Sequence, residues 1–251
     1  MSSTLVAVTF DAADPEGLAS FWGRLLDRQV VGEANGALLP AYDSQVGLRF
    51  VAAPTGDSGG RRLHLHVTST SLEDQQRTVA TALSLGGRHL DVGQLPEEEH
   101  IVLGDPAGNE FCVIEAANNF LAGCGRLGEV SCDGNREVGL FWRDALGWPL
   151  VWDRDGETAI QSPAGGTKLS WGGPPVAPKQ NRNRRRFDLE AADPPREVAR
   201  LMALGATRLT ERDGSTELAD PEGNEFRVAP VQDLRGGVEG SVWKALPPAR
   251  F

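Results

Sequence analysis

Between residues 61 and 115 the spacing of apolar positions changes period twice. RRLHLHVT (61–68) alternates apolar and polar, which predicts a strand with one face buried. SLEDQQRTVATALSLGG (71–87) puts Leu72, Val79 and Leu83 at helical spacing and closes on Gly86 and Gly87, so it predicts a helix. HLDVG, EHIVLG and NEFCVIE then read as three short strands. The order is β-α-β-β-β.

The same order occurs over 4–51. LVAVTFDA is a strand, and DPEGLASFWGRLLD is a helix opened by Asp14 with Pro15 in its first turn. RQVVGE, GALLPAY and VGLRFVAA complete that unit. In the second half, GEVSCDG and REVGLFWRDALG lead into PLVWD, TAIQS and TKLSW, and RRFDLEA and PPREVARLMALG lead into TRLTE, STELA and NEFRVAP. The chain therefore reads as four βαβββ units in two tandem pairs, an α+β protein. The boundaries follow as a first domain over 1–116, a linker over 117–127, a second domain over 128–230 and a tail over 231–251.

Composition narrows the class. With 251 residues, 40% hydrophobic and 24% charged, the chain has the balance of a soluble globular protein. A net charge of −10 argues against nucleic acid as a partner, the run NRNRRR (181–186) being local. No apolar stretch approaches the roughly 20 residues that span a bilayer, so no membrane partner is expected. The N-terminus lacks a charged and apolar leader, and three cysteines without metal-type spacing fit a reduced interior. A cytoplasmic protein, monomeric or homodimeric, is expected.

Two phrases carry more specific information. DPAGNEFCV (105–113) and DPEGNEFRV (220–228) agree at seven of nine positions, and FWGRLLDRQVV (21–31) matches FWRDALGWPLV (141–151). Asp-Pro-x-Gly-Asn is a tight-turn sequence, with Gly and Asn tolerating positive φ, so it reads as structural. Four such units with DPxGNEF before each even-numbered closing strand resemble the vicinal oxygen chelate superfamily, which includes glyoxalase I, bleomycin-resistance proteins and extradiol dioxygenases. The resemblance covers about residues 4–230. It implies two tandem glyoxalase-like domains whose units pair and curl mixed sheets around troughs. Units of the superfamily pair within a domain or across domains, and the sequence does not choose between these.

In metal-dependent relatives the resemblance implies four His, Gln or Glu ligands from the first and last strands of paired units. Here the first-strand positions align as Ala7 and Glu129, the opening even strands offer Arg62 and Arg184, and the closing strands offer Cys112 and Arg227. The remaining positions fall near Leu48–Phe50 and Lys168–Ser170. Alanine and guanidinium groups do not bind cations, so no metal cofactor is expected. A non-standard divalent site at His64 and His66, which share a strand face, is the alternative.

Strand parity assigns Thr9, Asp11, Arg62, His64, His66, Glu110 and Cys112 to the first trough. It assigns Glu129, Ser131, Asp133, Arg184, Arg186, Asp188, Glu225 and Arg227 to the second. Two functional expectations follow. One is a metal-independent binder of a small aromatic or polar ligand, as in the bleomycin-resistance branch, using Arg62, Cys112, Trp152, Trp171, Arg186 and Arg227. The other is a lyase, isomerase or cyclase acting on a small carbonyl compound, with His64 or His66 as general base and Asp11 or Glu110 orienting it. A third expectation makes the 231–251 tail, around Trp243, a contact with a partner.

Overall fold

The computed structural model describes residues 3–42, 44–53, 62–95 and 97–231. The expectation for the tail falls almost wholly outside them. The first unit comprises β1 (Thr4–Ala12), α1 (Pro15–Leu26), β2 (Val31–Glu33), β3 (Gly36–Leu39) and β4 (Gly47–Ala52). The second comprises β5 (Leu63–Val67), α2 (Leu72–Ser84), β6 (Arg88–His89), β7 (Ile101–Gly104) and β8 (Glu110–Val113). The third comprises β9 (Leu127–Cys132), α3 (Arg136–Leu146), β10 (Leu150–Arg154), β11 (Glu157–Gln161) and β12 (Lys168–Trp171). The fourth comprises β13 (Arg185–Ala191), α4 (Pro194–Ala203), β14 (Thr207–Arg212), β15 (Ser215–Ala219) and β16 (Glu225–Pro230). No helix among the described residues is long and apolar enough to cross a membrane.

Each helix starts where a side chain accepts an otherwise unpaired N–H. Asp14 accepts from Gly17 N at 2.9 Å, Ser71 from Asp74 N at 3.1 Å, Asn135 from Val138 N at 3.2 Å and Asp193 from Arg196 N at 3.1 Å. The stretch expected as a strand at HLDVG is shorter in the structure: β6 ends at His89. Leu90 still donates to Val102 O at 3.1 Å and packs beside Val102, but Val92 is exposed, so the segment leaves the sheet after Leu90.

The units pair across the halves. The first sheet has the order β14-β15-β16-β13-β1-β4-β3-β2, joining units one and four. The second has the order β10-β11-β12-β9-β5-β8-β7-β6, joining units two and three. At each centre two opening strands run antiparallel, β1 with β13 and β5 with β9. Within each unit the opening and closing strands run parallel. One face of each sheet contributes to a large shared apolar core containing residues from all four helices.

The repeated phrases hold the two sheets together. Asp105 Oδ1 accepts from Ala107 N at 3.0 Å and Asn109 N at 2.8 Å, while Asn109 Nδ2 donates to Oδ2 at 2.9 Å. Gly108 completes the turn at φ +79°. Trp22 Nε1, from the first unit, donates to the same Oδ2 at 3.1 Å, and its ring meets Phe111 at 4.9 Å. The second copy repeats this, with Trp142 Nε1 donating to Asp220 Oδ2 at 3.3 Å and its ring 4.9 Å from Phe226. In both copies the tryptophan comes from a unit of one sheet and the turn from a unit of the other.

Both Trp22 and Asp105 are fully buried, so removing either strands the other. Trp22→Phe and Asp105→Ala should each lower the unfolding free energy by about 2–4 kcal/mol. Because the two groups share one bond, the double variant should cost less than the sum by about 0.5–3 kcal/mol. Equilibrium urea unfolding of the four proteins checks this, and strictly additive costs would separate the indole from the turn.

Candidate functional site

The crossed pairing redistributes the trough residues. On the outer face of the first sheet, β13 supplies Arg186 and Asp188, β1 supplies Thr9 and Asp11, β4 supplies Arg49 and β16 supplies Arg227. Here every named charge is matched. Arg49 Nη1 donates to Asp188 Oδ2 at 2.6 Å and Arg227 Nη2 to the same oxygen at 2.8 Å. Arg49 also pairs with Glu33 at 3.0 Å, and Arg186 with Asp11 at 2.7 Å. Arg182 donates to Glu217 at the rim of this network. Burial of Asp188 and Arg49, at 2% and 5% exposure, requires such pairing.

Asp11 therefore does not approach the histidines. It lies in the other sheet, because unit one pairs with unit four and not with unit two. Arg186 and Arg227 are committed to Asp11 and Asp188. Arg62, expected in a trough, precedes β5 and pairs with Glu222 of the second DPEGNEF turn at 3.1 Å, while Glu222 also accepts from Asn135 N at 3.0 Å. Arg62 thus ties the two sheets together.

The second sheet is different in kind. His66 on β5 lies in register with Cys112 on β8 and with Glu129 on β9, and Lys168 on β12 lies in register with Glu129. His66 Nδ1 meets Glu129 Oε2 at 2.6 Å. His64, two residues earlier on the same face, has Nδ1 3.6 Å from Glu110 Oε1. Of the expected base-and-carboxylate pairs, the structure brings together His64 with Glu110. It adds His66 with Glu129, whose role parity alone did not assign because the two come from different halves.

The electrostatics of this pair are asymmetric. Burial alone would lower the basicity of His66, but hydrogen bonds and charge from Cys112 and Glu129 outweigh it and raise the imidazole to about 10. Burial would lift the Glu129 carboxyl, yet the His66 hydrogen bond and charge, with help from Ser170 and Lys168, hold it below its usual value. At neutral pH the pair is imidazolium and carboxylate.

A cavity of about 420 Å³ opens beside it, lined by His66, Glu129, His100, Phe120, Leu121 and Glu115 among others. Phe120 and Leu121 belong to the segment expected as a linker. That segment is a wall: Lys168 Nζ donates to Phe120 O and sits 4.2 Å from its ring centroid, and Cys124 is buried beneath. Gln45 secures the segment, accepting from Leu127 N and donating to Cys124 O, both at 2.6 Å. Trp152 packs edge-on against Phe120 at 5.9 Å, with Arg154 4.9 Å from its own ring. Trp171 lines a small cavity of about 20 Å³ together with Arg62 and Arg186. It is 1% exposed and on the core face of β12, opposite Lys168 and Ser170.

The residues do not fit a metal site of the superfamily's usual kind. In the first trough guanidinium groups stand beside Asp188, and among the described residues no group of three or more His, Cys, Asp or Glu side chains is placed to hold a metal ion. His64 and His66 each direct Nδ1 toward a carboxylate instead.

Comparison with known proteins agrees with the fold. No curated protein matches the sequence. Glyoxalase I from Zea mays superposes with a TM-score of 0.64 at 13% identity, covering 91% of this chain and 92% of that one. A glyoxalase/bleomycin resistance protein/dioxygenase family enzyme from Burkholderia phytofirmans PsJN matches with a TM-score of 0.36 at 15% identity, over 42% of this chain and 92% of its own. TnmS3, an antibiotic binding protein from Streptomyces sp. CB03234, matches with a TM-score of 0.32 at 17% identity, over 41% and 93%. At these identities the likeness concerns architecture alone. The family described as "Glyoxalase-like domain" matches twice, over residues 7–114 and 129–229, and the chain belongs to that family.

Proposed function

We propose that this chain binds a small aromatic or polar molecule in the cavity of the second sheet, without a metal ion. The observation that carries this reading is the cavity itself, built where His66 and Glu129 meet and closed on one side by Phe120 and Leu121. It combines an aromatic face with fixed polar groups, the usual make-up of a small-molecule site. Glu97, Glu98, Glu99 and Glu115 line it alongside Glu129, and among the described residues no Lys or Arg lines it. That lining disfavours an anionic ligand and suits a neutral or basic one. The first trough, with its ion pairs closed on each other, is assigned a structural role.

A catalytic reading rests on His64, whose Nδ1 lies 3.6 Å from Glu110. His66 is a poor general base at neutral pH because its partners hold the proton on it; it acts as a hydrogen-bond donor. A lyase or isomerase acting on a small carbonyl compound would therefore use His64 as base with Glu110 orienting it. Turnover lost in His64→Gln but retained by His66→Gln is the pattern this reading requires.

The binding reading is tested by calorimetry against a panel of neutral and basic aromatic compounds at neutral pH, with and without EDTA. The expected result is binding that EDTA leaves unchanged and that Phe120→Ala weakens by about tenfold or more, about 1.4 kcal/mol. Binding abolished by the chelator would transfer the site to a metal at His64 and His66. A panel that yields no binder would remove the reading.

The ion pair also predicts a pH signature. Since folding raises His66 from 6.5 to about 10, its contribution is complete below pH 6.5 and is lost as pH rises toward 10. The depressed Glu129 acts oppositely, contributing above its ordinary value of 4.5 and losing that contribution as pH falls. Between pH 6.5 and 10 the wild type should therefore lose on the order of 1–3 kcal/mol more unfolding free energy than His66→Gln, by urea titration at each pH. Parallel curves for the two proteins would contradict the charged state assigned to His66.

A further inference from the structure

We propose that Cys112 is a nucleophilic thiol, set up by His66 and Glu129, that adds to the electrophilic carbon of an α,β-unsaturated carbonyl compound entering the second-sheet cavity. The three residues stand side by side on β8, β5 and β9, in register across the parallel and antiparallel seams. His66 commits Nδ1 to Glu129 at 2.6 Å, and Cys112 stands directly beside it on the neighbouring strand, where it adds to the upward push on the imidazole. That is the order nucleophile, imidazole, orienting carboxylate.

The other two cysteines have no such surroundings. Cys124 faces Gln161 Nε2 at 3.5 Å, and burial pushes its thiol up; Cys132 turns toward Val130 O at 3.9 Å, and burial pushes its thiol up strongly. Cys112 is only 6% exposed, but Ile114 and Leu121, which pack in its cluster, also line the cavity. A planar enone lying against Phe120 would approach the thiol across those two side chains.

The step balances without another reagent. The sulfur–hydrogen bond of Cys112 breaks, its proton passing to the His66–Glu129 pair, and the sulfur electron pair forms a carbon–sulfur bond to the β-carbon. The carbon–carbon π pair moves to the α-carbon, which takes a proton back from His66, so that thiol and enone become a thioether with nothing left over. The choice of electrophile rests on the cavity being the ligand site; the reactivity of the thiol does not.

Full-length protein treated with N-ethylmaleimide at neutral pH and mapped by peptide mass spectrometry tests the proposal. Cys112 should be labelled at least about ten times faster than Cys124 and Cys132. His66→Gln should slow that labelling about tenfold, and Glu129→Gln should slow it in the same direction should the first variant not fold. Cys112→Ser should abolish the fast adduct. No fast adduct at Cys112, equal labelling of the three cysteines, or a rate untouched by both variants would overturn the proposal. Fast labelling beside a failed calorimetric panel would remove only the reversible-binding reading, and slow labelling beside a successful panel would remove only this one.

Discussion

A tryptophan on one unit's helix reaches a carboxylate in the next unit's turn, and the rest of the molecule is arranged around that reach. Trp22 and Trp142 are buried on every side, so their indole N–H groups need acceptors inside the protein. Asp105 and Asp220 provide them while organising the Asp-Pro-x-Gly-Asn turns. Burial pushes both carboxyls up, and the donors from Asn and Trp oppose that push. Since the tryptophan and its turn sit in different sheets, the contact holds together consecutive units that do not pair strand to strand. It lets units one and two share a core while each takes its sheet partner from the other half.

Much of this was legible in the chain, for reasons that depend on the element. Strand and helix positions followed from period, and RRFDLEA and STELA coincide with β13 and β15 to within a residue or less, because alternation with one buried face leaves little freedom of register. The repeated turn was readable as a turn, but its indole partner was not, since nothing local to DPAGNEF shows which side chain will need an acceptor. The burial of Trp171 was legible too. TKLSW alternates with Leu169 and Trp171 on one face, so parity already places that ring in the core with Leu169 and leaves Lys168 and Ser170 outward.

The site was less legible because it is assembled across the two tandem pairs. His66 and Glu129 belong to different tandem pairs and meet only through the antiparallel seam of β5 with β9. Asp11 looked close to His64 in a strand list and lies instead beside Arg186, a consequence of the same crossing. Pairing of opening strands is a long-range choice. No hydrophobic pattern within a unit encodes it, because alternation along a strand fixes which face is buried and not which strand lies alongside.

That crossing also explains why the two troughs came to differ. Units two and three are consecutive, so the segment between them must travel from one side of the second sheet's seam to the other. It crosses the trough, and Phe120, Leu121 and Cys124 become a wall that the repeat itself does not contain. Units one and four are not consecutive, so among the described residues no linker between the two lies over their trough. Their trough is walled instead by its own charges, with Asp188 holding Arg49 and Arg227 together across β4, β13 and β16. A pocket with an apolar wall and a charged floor can hold an organic molecule, whereas a surface whose carboxylates already grip guanidinium groups gains little by exchanging them for a ligand. The difference between the two sheets thus follows from the order of units along the chain as well as from their individual residues.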